Sequence, residues 1–370
     1  MAADLSGDLW GQLERTHPEL ALVRKRSAGE RVYLVGGAVR DLLLGRSRAD
    51  VDLVVEGDAA SLAARLGAEV AEHQRFGTAR CNLDGHEIDI AAARAETYPR
   101  PGALPEVGPS TIVEDLARRD FTINAMAISL DGEAGLIDPH GGREDLAAGI
   151  LRVIHPRSFA DDPTRALRAA RYAARFGFVL EPGTAELLAE VDLGSVSADR
   201  RRRELLRLAA ETEAVRGLAL AAQWGLIEPR AGGIQLAAAV TELISSPPWS
   251  EVAEGPEVLL AAALGPPGGE LELAQADPPA PSQAVELARG RTPLELMLAR
   301  ALGATWLDCY LSEWSRVGLE IDGADLIAAG VPQGPSLGRG LREALRRKLD
   351  GEVAGREQEL AAALAAADNE

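Results

Sequence analysis

RVYLVGGAVRDLLLGRSRADVDLVVEGD, residues 31–58, is the stretch that decides the fold. RVYLVGG reads as a buried strand ending in a glycine pair, and AVRDLLLG then reads as a helix of about two turns closed by Gly45. VDLVVEGD (51–58) follows as a second strand, β-branched and apolar. Working outward, SLAARLGAEVAEH has helical spacing, and TARCNL with HEIDIAAAR predicts a hairpin turning at Asp84-Gly85. From Asp161 onward Ala, Leu, Arg and Glu recur at helical spacing. The expected architecture is therefore an α/β domain over residues 1–157 followed by an all-α remainder. Three Pro/Gly breakers, SSPPW (245–249), GPPGGE (265–270) and ADPPAPS (276–282), predict a loop-rich segment at 244–284.

Composition bounds the function. At 370 residues the chain exceeds the size at which one hydrophobic core keeps growing, so two or more domains are expected. Its 39 Lys and Arg against 57 Asp and Glu leave a net charge of −18. At face value that argues against a nucleic-acid partner, because phosphate neutralisation supplies most of such affinity, although net charge hides local clusters. Lys25 and Lys348 are the only lysines, and neither sits in a Gly-Lys-Ser/Thr loop, which excludes P-loop chemistry. Cys81 and Cys309 suggest neither a disulfide scaffold nor a cysteine zinc site, and a reducing cytosol fits. No apolar stretch approaches the roughly 20 residues that span a bilayer, and MAADLSGDLWGQ lacks a signal-peptide pattern. A cytoplasmic protein without membrane contact is expected.

Asp50 and Asp52 open the second strand at an i, i+2 spacing, which puts both carboxylates on one face. Adjacent carboxylates repel, and a divalent cation relieves the repulsion; Mg²⁺ bound by one or two carboxylates plus substrate phosphates is usual in phosphoryl transfer. Asp89 in HEIDIA is a candidate third carboxylate if the strands pair. Taken alone, Asp-x-Asp reads as readily as a solvated strand end. Gly36-Gly37, with a helix behind it and Arg40 near by, offers backbone N–H groups to an anion. Arg118-Arg119-Asp120 reads by itself as a surface ion cluster. Asp162-Pro163-Thr164 is a good helix start with Asp162 as N-cap, a role Asp161 could also take. On that helix Arg168, Arg171 and Arg175 share one face, which suits phosphate contact or a solvated arginine stripe.

Four ordered motifs carry a resemblance. LVGGAVRDLLLGRSRADVDLVVEGDA, DLARRDFTINAMAI, DPHGGREDL and SFADDPTRALRAARYAARFGF resemble the head and neck motifs of class II tRNA nucleotidyltransferases, the CCA-adding enzymes. The likeness continues in ADRRRRELLRL and IDGADLIAAGVPQGPSLGRGLREALRRKLDGEV, leaving about 220–310 uncovered. It implies an α/β nucleotidyltransferase head domain over 1–157, a helical neck over 158–215 and a helical body and tail over 216–370 that bind tRNA. It implies addition of C, C and A to tRNA 3′ ends from CTP and ATP, and it implies no particular protein partner. Relatives that add only CC or only A, and bacterial poly(A) polymerases, share the motifs and remain alternatives.

By the same resemblance Asp50 and Asp52 hold two Mg²⁺ ions, while Arg119, Asp120 and Asn124 contact the nucleotide's ribose and phosphates. Read from the residues themselves, the Arg168 and Arg171 face is expected toward the triphosphate or primer phosphate, with a solvated stripe as the alternative. The dense basic cluster of Arg200, Arg201, Arg203 and Arg207 is expected to contact the tRNA backbone. Asp162 and Arg165 match a pair that serves as a protein template. Donor and acceptor counting explains how. An ionised Asp only accepts and an Arg only donates. Cytosine and adenine each present an amino donor beside a ring-nitrogen acceptor, whereas guanine and uracil present a carbonyl and a ring N–H. The proline-rich stretch between Arg94 and Arg118 resembles the family's flexible loop, whose presence favours CCA or A-only addition. No histidine follows His155, so the phosphohydrolase domain that some relatives append is expected to be absent.

Overall fold

The computed structural model describes residues 9–46, 50–67, 71–73, 78–83, 85–100, 102–131, 135–253 and 255–367. The chain divides into two compact units, Met1–Ile227 and Glu228–Glu370. The first opens with α1 (Leu9–Thr16) and α2 (Glu19–Arg26), then β1 (Val32–Val35), α3 (Gly37–Leu43), β2 (Val51–Val55) and α4 (Ala59–Leu66). Five strands follow: β3 (Ala71–His73), β4 (Thr78–Leu83), β5 (His86–Ala92), β6 (Arg94–Thr97) and β7 (Glu106–Pro109). Next come α5 (Ile112–Ala117), β8 (Ala127–Ser129), β9 (Leu136–Ile137), α6 (Gly142–Ala148) and β10 (Ile150–Leu151). The unit ends with α7 (Ser158–Asp161), α8 (Thr164–Phe176), β11 (Val179–Leu180), α9 (Pro182–Ala189), α10 (Ala198–Ala209) and α11 (Ala214–Gln223).

The strand order is β3-β4-β5-β2-β1-β8-β9. All neighbours run antiparallel except β2 and β5, whose register sets Asp52 opposite Asp89. VYLV of β1 is buried at every position, as a central strand covered on both faces must be. In α4 Ala59, Leu62, Ala63 and Leu66, spaced i, i+3, i+4, i+7, are buried in one core with the sheet. The helical spacing of SLAARLGAEVAEH stops early: Gly67 at φ +81° closes α4, and AEH becomes the edge strand β3. The strands of the expected hairpin pair as read, and Asp84 of its turn lies outside the described residues, as do residues 47–49 before Asp50.

The core does not stop at residue 157. Phe121 is fully buried and meets Tyr172 of α8 edge-on at 5.9 Å, while Ala166, Ala169 and Ala173 of α8 share one core with Leu34, Leu53 and Ile90 of the sheet. A parallel pair, β10 with β11, also crosses that point, and β11 lies in a stretch expected to be wholly helical. Residue 216 falls inside α11, which packs on α8. Compactness therefore places the division at 227/228, because burial across α8 ties the expected neck to the head.

The second unit is helical: α12 (Gly233–Leu243), α13 (Gly255–Leu264), α14 (Glu270–Gln275), α15 (Pro281–Ala288), α16 (Pro293–Ala301), α17 (Trp306–Ser312), α18 (Gly323–Ala328), α19 (Pro335–Leu349) and α20 (Gly355–Ala367). The 244–284 stretch is more ordered than its breakers suggest. They bound short helices, and Leu259, Ala262, Ala263 and Leu273 of α13 and α14 are buried. Among the described residues no helix is long and apolar enough to cross a membrane.

Candidate active site

The first unit holds a cleft of about 660 Å³ between the N-terminal end of the central strand β2, the α5–β8 connection, α8 and the start of α10. Nine arginines (40, 94, 118, 119, 165, 168, 171, 175 and 200) and five carboxylates (Asp50, Asp52, Glu96, Asp120 and Asp162) line it. Several arginines lean on further carboxylates: Arg118 and Arg119 on Asp115, Arg40 and Arg175 on Asp41, Arg171 and Arg175 on Glu211. These acids hold the guanidiniums in place, and the face they present to the cleft is basic in an otherwise acidic chain.

At one end stand Asp50, exposed and immediately before β2, and Asp52, half-buried on β2. Burial raises the Asp52 carboxyl to about 6, helped by Asp89 and Asp50 and opposed by Arg119. A carboxylate so crowded by like charge suits a hard cation. Among the described residues no three His, Cys, Asp or Glu side chains are arranged to hold a metal; two carboxylates are a donor set of the kind that binds Mg²⁺ together with phosphate and water. Asp89 lies in register with Asp52, but its carboxylate is paired with Arg80 at 2.7 and 3.1 Å.

Gly36 precedes α3 at φ +67°, a backbone conformation that favours glycine, and a Cβ there would stand 2.8 Å from Arg119 Nη1 and displace that guanidinium. Its N–H donates to the Met126 carbonyl at 3.3 Å instead of facing an anion, while Gly37 lines the cleft. Arg40 is buried; it donates to Asn124 Oδ1 at 2.6 Å and lies over Phe176 at 4.7 Å from the ring centre. Asn124 passes the contact on, donating from Nδ2 to Asp120 Oδ1 at 3.0 Å, and Asp120 Oδ2 meets Arg168 Nη2 at 2.5 Å. Asp120 and Asn124 thus line the cleft as buried side chains, and these polar atoms are engaged by protein. They aim Arg168 toward the cleft.

Sequence reading passed over Asp115, which is fully buried. Its Oδ1 accepts from Arg118 Nη2 at 2.6 Å and its Oδ2 from Arg119 Nη2 at 3.1 Å. Burial would raise this carboxyl, yet Arg119 and Arg118 hold it below the usual range. The i, i+3 and i, i+4 spacings were the available signal. Arg118 also donates to Glu96 of β6 at 2.9 Å, joining the β6–β7 hairpin to the floor; that hairpin and α5 are what the proline-rich stretch becomes.

On α7 and α8, Asp162 has extended backbone, and its Oδ1 accepts from Thr164 N at 3.1 Å, Thr164 Oγ1 at 2.7 Å and Arg200 Nη2 at 2.9 Å. Asp162 therefore caps α8, while Asp161 pairs with Arg157. Oδ2 has no bonding partner among the described residues. Arg165 donates from Nη1 to Ser158 Oγ and from Nη2 to the Arg118 carbonyl, both at 2.6 Å. Arg200 differs from expectation: it turns inward to Asp162 and the Gly102 carbonyl and lines the cleft, whereas Arg203 and Arg207 are exposed on α10, Arg201 is half-buried there, and Arg207 pairs with Glu204.

Residues 32–152 match the poly(A) polymerase head domain family. The chain is 34% identical to the CC-adding tRNA nucleotidyltransferase of Deinococcus radiodurans over 97% of this chain and 96% of that one. It is 50% identical to the A-adding tRNA nucleotidyltransferase of Aquifex aeolicus over 180 residues, 47% of this chain and 22% of that one. It thus spans about a fifth of the Aquifex relative and nearly all of the Deinococcus one. Among solved structures, the Thermotoga maritima CCA-adding enzyme complexed with tRNA is similar at TM-score 0.75 and 29% identity, covering 96% of this chain and 97% of that one.

Proposed function

The chain belongs to the class II tRNA nucleotidyltransferase family, and from that premise we propose that it adds C, C and A to tRNA 3′ ends, using CTP and ATP. The observation that carries this reading is one cleft that sets a crowded carboxylate pair beside a wall of arginines and an Asp/Arg pair with unused hydrogen-bonding capacity. In the reaction the primer 3′-oxygen forms a bond to the α-phosphorus of the nucleotide, and the bond from that phosphorus to the pyrophosphate oxygen breaks. Asp50 and Asp52 would hold Mg²⁺, which when bound supplies charge stabilisation on the transferring phosphoryl group and lowers the pKa of the attacking hydroxyl. Arg119 and Arg168, held by Asp115 and Asp120, take the triphosphate oxygens. Asp89 adds negative potential beside Asp52. Asp162 Oδ2 accepts from the amino group of C or A, and Arg165 donates to the ring nitrogen. A uracil or guanine turns a carbonyl to the carboxylate and an N–H to the guanidinium, which leaves buried polar groups unpaired.

We read residues 1–157 as the catalytic head, 158–215 as the neck, and 216–370 as the part that holds the tRNA. The assay is incubation with tRNA transcripts ending before C74, before C75 and before A76, each with a single labelled nucleotide. Incorporation of C, C and A in turn supports full addition. The Deinococcus relative is a CC-adding enzyme and the Aquifex relative an A-adding one, and from these relatives a second reading is CC alone or A alone. Activity confined to the first two transcripts or to the last establishes it.

A further inference from the structure

Ser158, the first residue of α7, is fully buried and touches both members of the base-selecting pair. Its hydroxyl oxygen accepts from Arg165 Nη1 at 2.6 Å, and its carbonyl accepts the N–H of Asp162 at 3.2 Å. On the far side of the guanidinium, the Arg118 carbonyl accepts from Arg165 Nη2 at 2.6 Å. An arginine side chain has several rotatable bonds, and one anchored nitrogen leaves it free to swing about that point. Two anchored nitrogens define the guanidinium plane.

We propose that Ser158 is a positioning residue for base selection: it locks the guanidinium of Arg165 in register with the carboxylate of Asp162. The proposal rests on the reading of Asp162 and Arg165 as the pair that faces the incoming base. Discrimination between an amino group beside a ring nitrogen and a carbonyl beside a ring N–H requires the donor and acceptor to keep a fixed offset. A misplacement of about 1 Å costs on the order of a hundredfold, and functional groups need to be held to about 0.5 Å. Ser158 supplies that offset because one residue anchors both partners, one by its side chain and one by its backbone. The backbone contact survives any substitution, so the hydroxyl can be removed on its own. Nothing about packing demands it, since alanine fills nearly the same volume, and among the described residues Arg165 is the hydroxyl's hydrogen-bond partner.

The test compares Ser158→Ala, Ser158→Thr and Arg165→Ala with the unmodified chain. It measures kcat/KM for CTP against UTP on tRNA ending before C74, and for ATP against GTP on tRNA ending in CC. A ratio of two nucleotides on one preparation is independent of how much of it is folded, so partial unfolding of a variant leaves the readout intact. Ser158→Ala should lower whichever ratio the unmodified chain shows by about tenfold, and Ser158→Thr, which retains the hydroxyl, should restore most of it. If Arg165→Ala loses selectivity while Ser158→Ala keeps it within twofold, the proposal is overturned and the base-selection reading stands. An equal fall in kcat/KM for all nucleotides also overturns the proposal, because a general structural role does that. If Arg165→Ala itself keeps its selectivity, the reading fails and the proposal with it.

Discussion

Replacing Asp120 by Asn tests how far the cleft depends on one buried carboxylate. Oδ1 takes the Phe121 N–H at 2.8 Å and Asn124 Nδ2 at 3.0 Å, and Oδ2 meets Arg168 at 2.5 Å. Asparagine can keep the first two contacts, but its amide then turns a donor toward the Arg168 guanidinium. The loss is at least a hydrogen bond to a charged group, about 1.5–3 kcal/mol, and at most the 3–5 kcal/mol of breaking a buried ion pair. The Arg168 side chain is 32% exposed and can turn partly to water, which discounts the upper figure, so about 2–3 kcal/mol is expected. A chain of two compact units need not unfold in one transition, so the loss should be read locally by hydrogen exchange. Amides of α8 should exchange roughly 30- to 150-fold faster, and those of α19 in the second unit should not change. Acceleration of α8 by less than about threefold, or an equal change in α19, refutes the reasoning.

The same pair fixes a pH dependence. Burial works to raise the Asp120 carboxyl, but Arg168, Asn124, Arg165 and the Phe121 N–H more than offset it and hold the group below its usual range. The folded pKa is therefore lower than the unfolded one of about 3.9. Stabilisation by Asp120 is complete above the unfolded value and fades as pH falls through the folded one. The exchange difference between Asp120→Asn and the unmodified chain should be constant from about pH 5 upward and shrink below about pH 4. A difference that widens toward acid would reverse the assigned sign.

Asp52→Asn should abolish nucleotide incorporation while leaving the metal-free melting temperature at pH 7.5 undiminished, since burial and two neighbouring carboxylates already disfavour the charge it removes; a lowered melting temperature or retained turnover contradicts the assignment. Replacing Arg201 and Arg203 together by Ala should reduce the slope of log affinity for tRNA against log salt by about 1.5, from two lost phosphate contacts, and an unchanged slope removes these residues from the interface.

The β1–α3–β2 unit was legible because its signals are local: an apolar run, a glycine pair, a second β-branched run and two acids at strand spacing. The register of Asp89 beside Asp52 followed from recognising the hairpin and the strand, with pairing as the one added assumption. The continuity of the core across residue 157 was not legible. It depends on Phe121 meeting Tyr172 and on which face α8 presents to the sheet, neither of which leaves a trace in nearby residues. The same limit applied to side chains with two possible tasks. Arg40, Asp120 and Asn124 carry polar groups suited to a ligand, and only their mutual distances show those groups engaged with each other. Arg200 stands in the densest run of basic residues, yet the turn at Gly102 and the Asp162 carboxylate draw it inward.

Asp162 shows how one residue can serve two tasks that seemed to compete. A capping carboxylate has fewer lone pairs for a ligand, but here the cap and the Arg200 contact all fall on Oδ1. Oδ2 is left for the base. The division predicts that three substitutions separate the roles. Asp162→Ala removes both oxygens and should cost about 0.5–2 kcal/mol of helix stability together with the preference for C over U or A over G. Asp162→Ser restores a good cap without a second acceptor, so stability should recover and preference should not. Asp162→Asn is the sharpest of the three, because its oxygen can keep the cap while its amide presents a donor where the base's amino group also donates. Its melting temperature should stay near that of the unmodified chain while the preference falls about tenfold or more, the worth of a hydrogen bond to a charged group. An Asp162→Asn enzyme with unaltered base preference would show that Oδ2 does not read the base, and capping alone would then account for the residue.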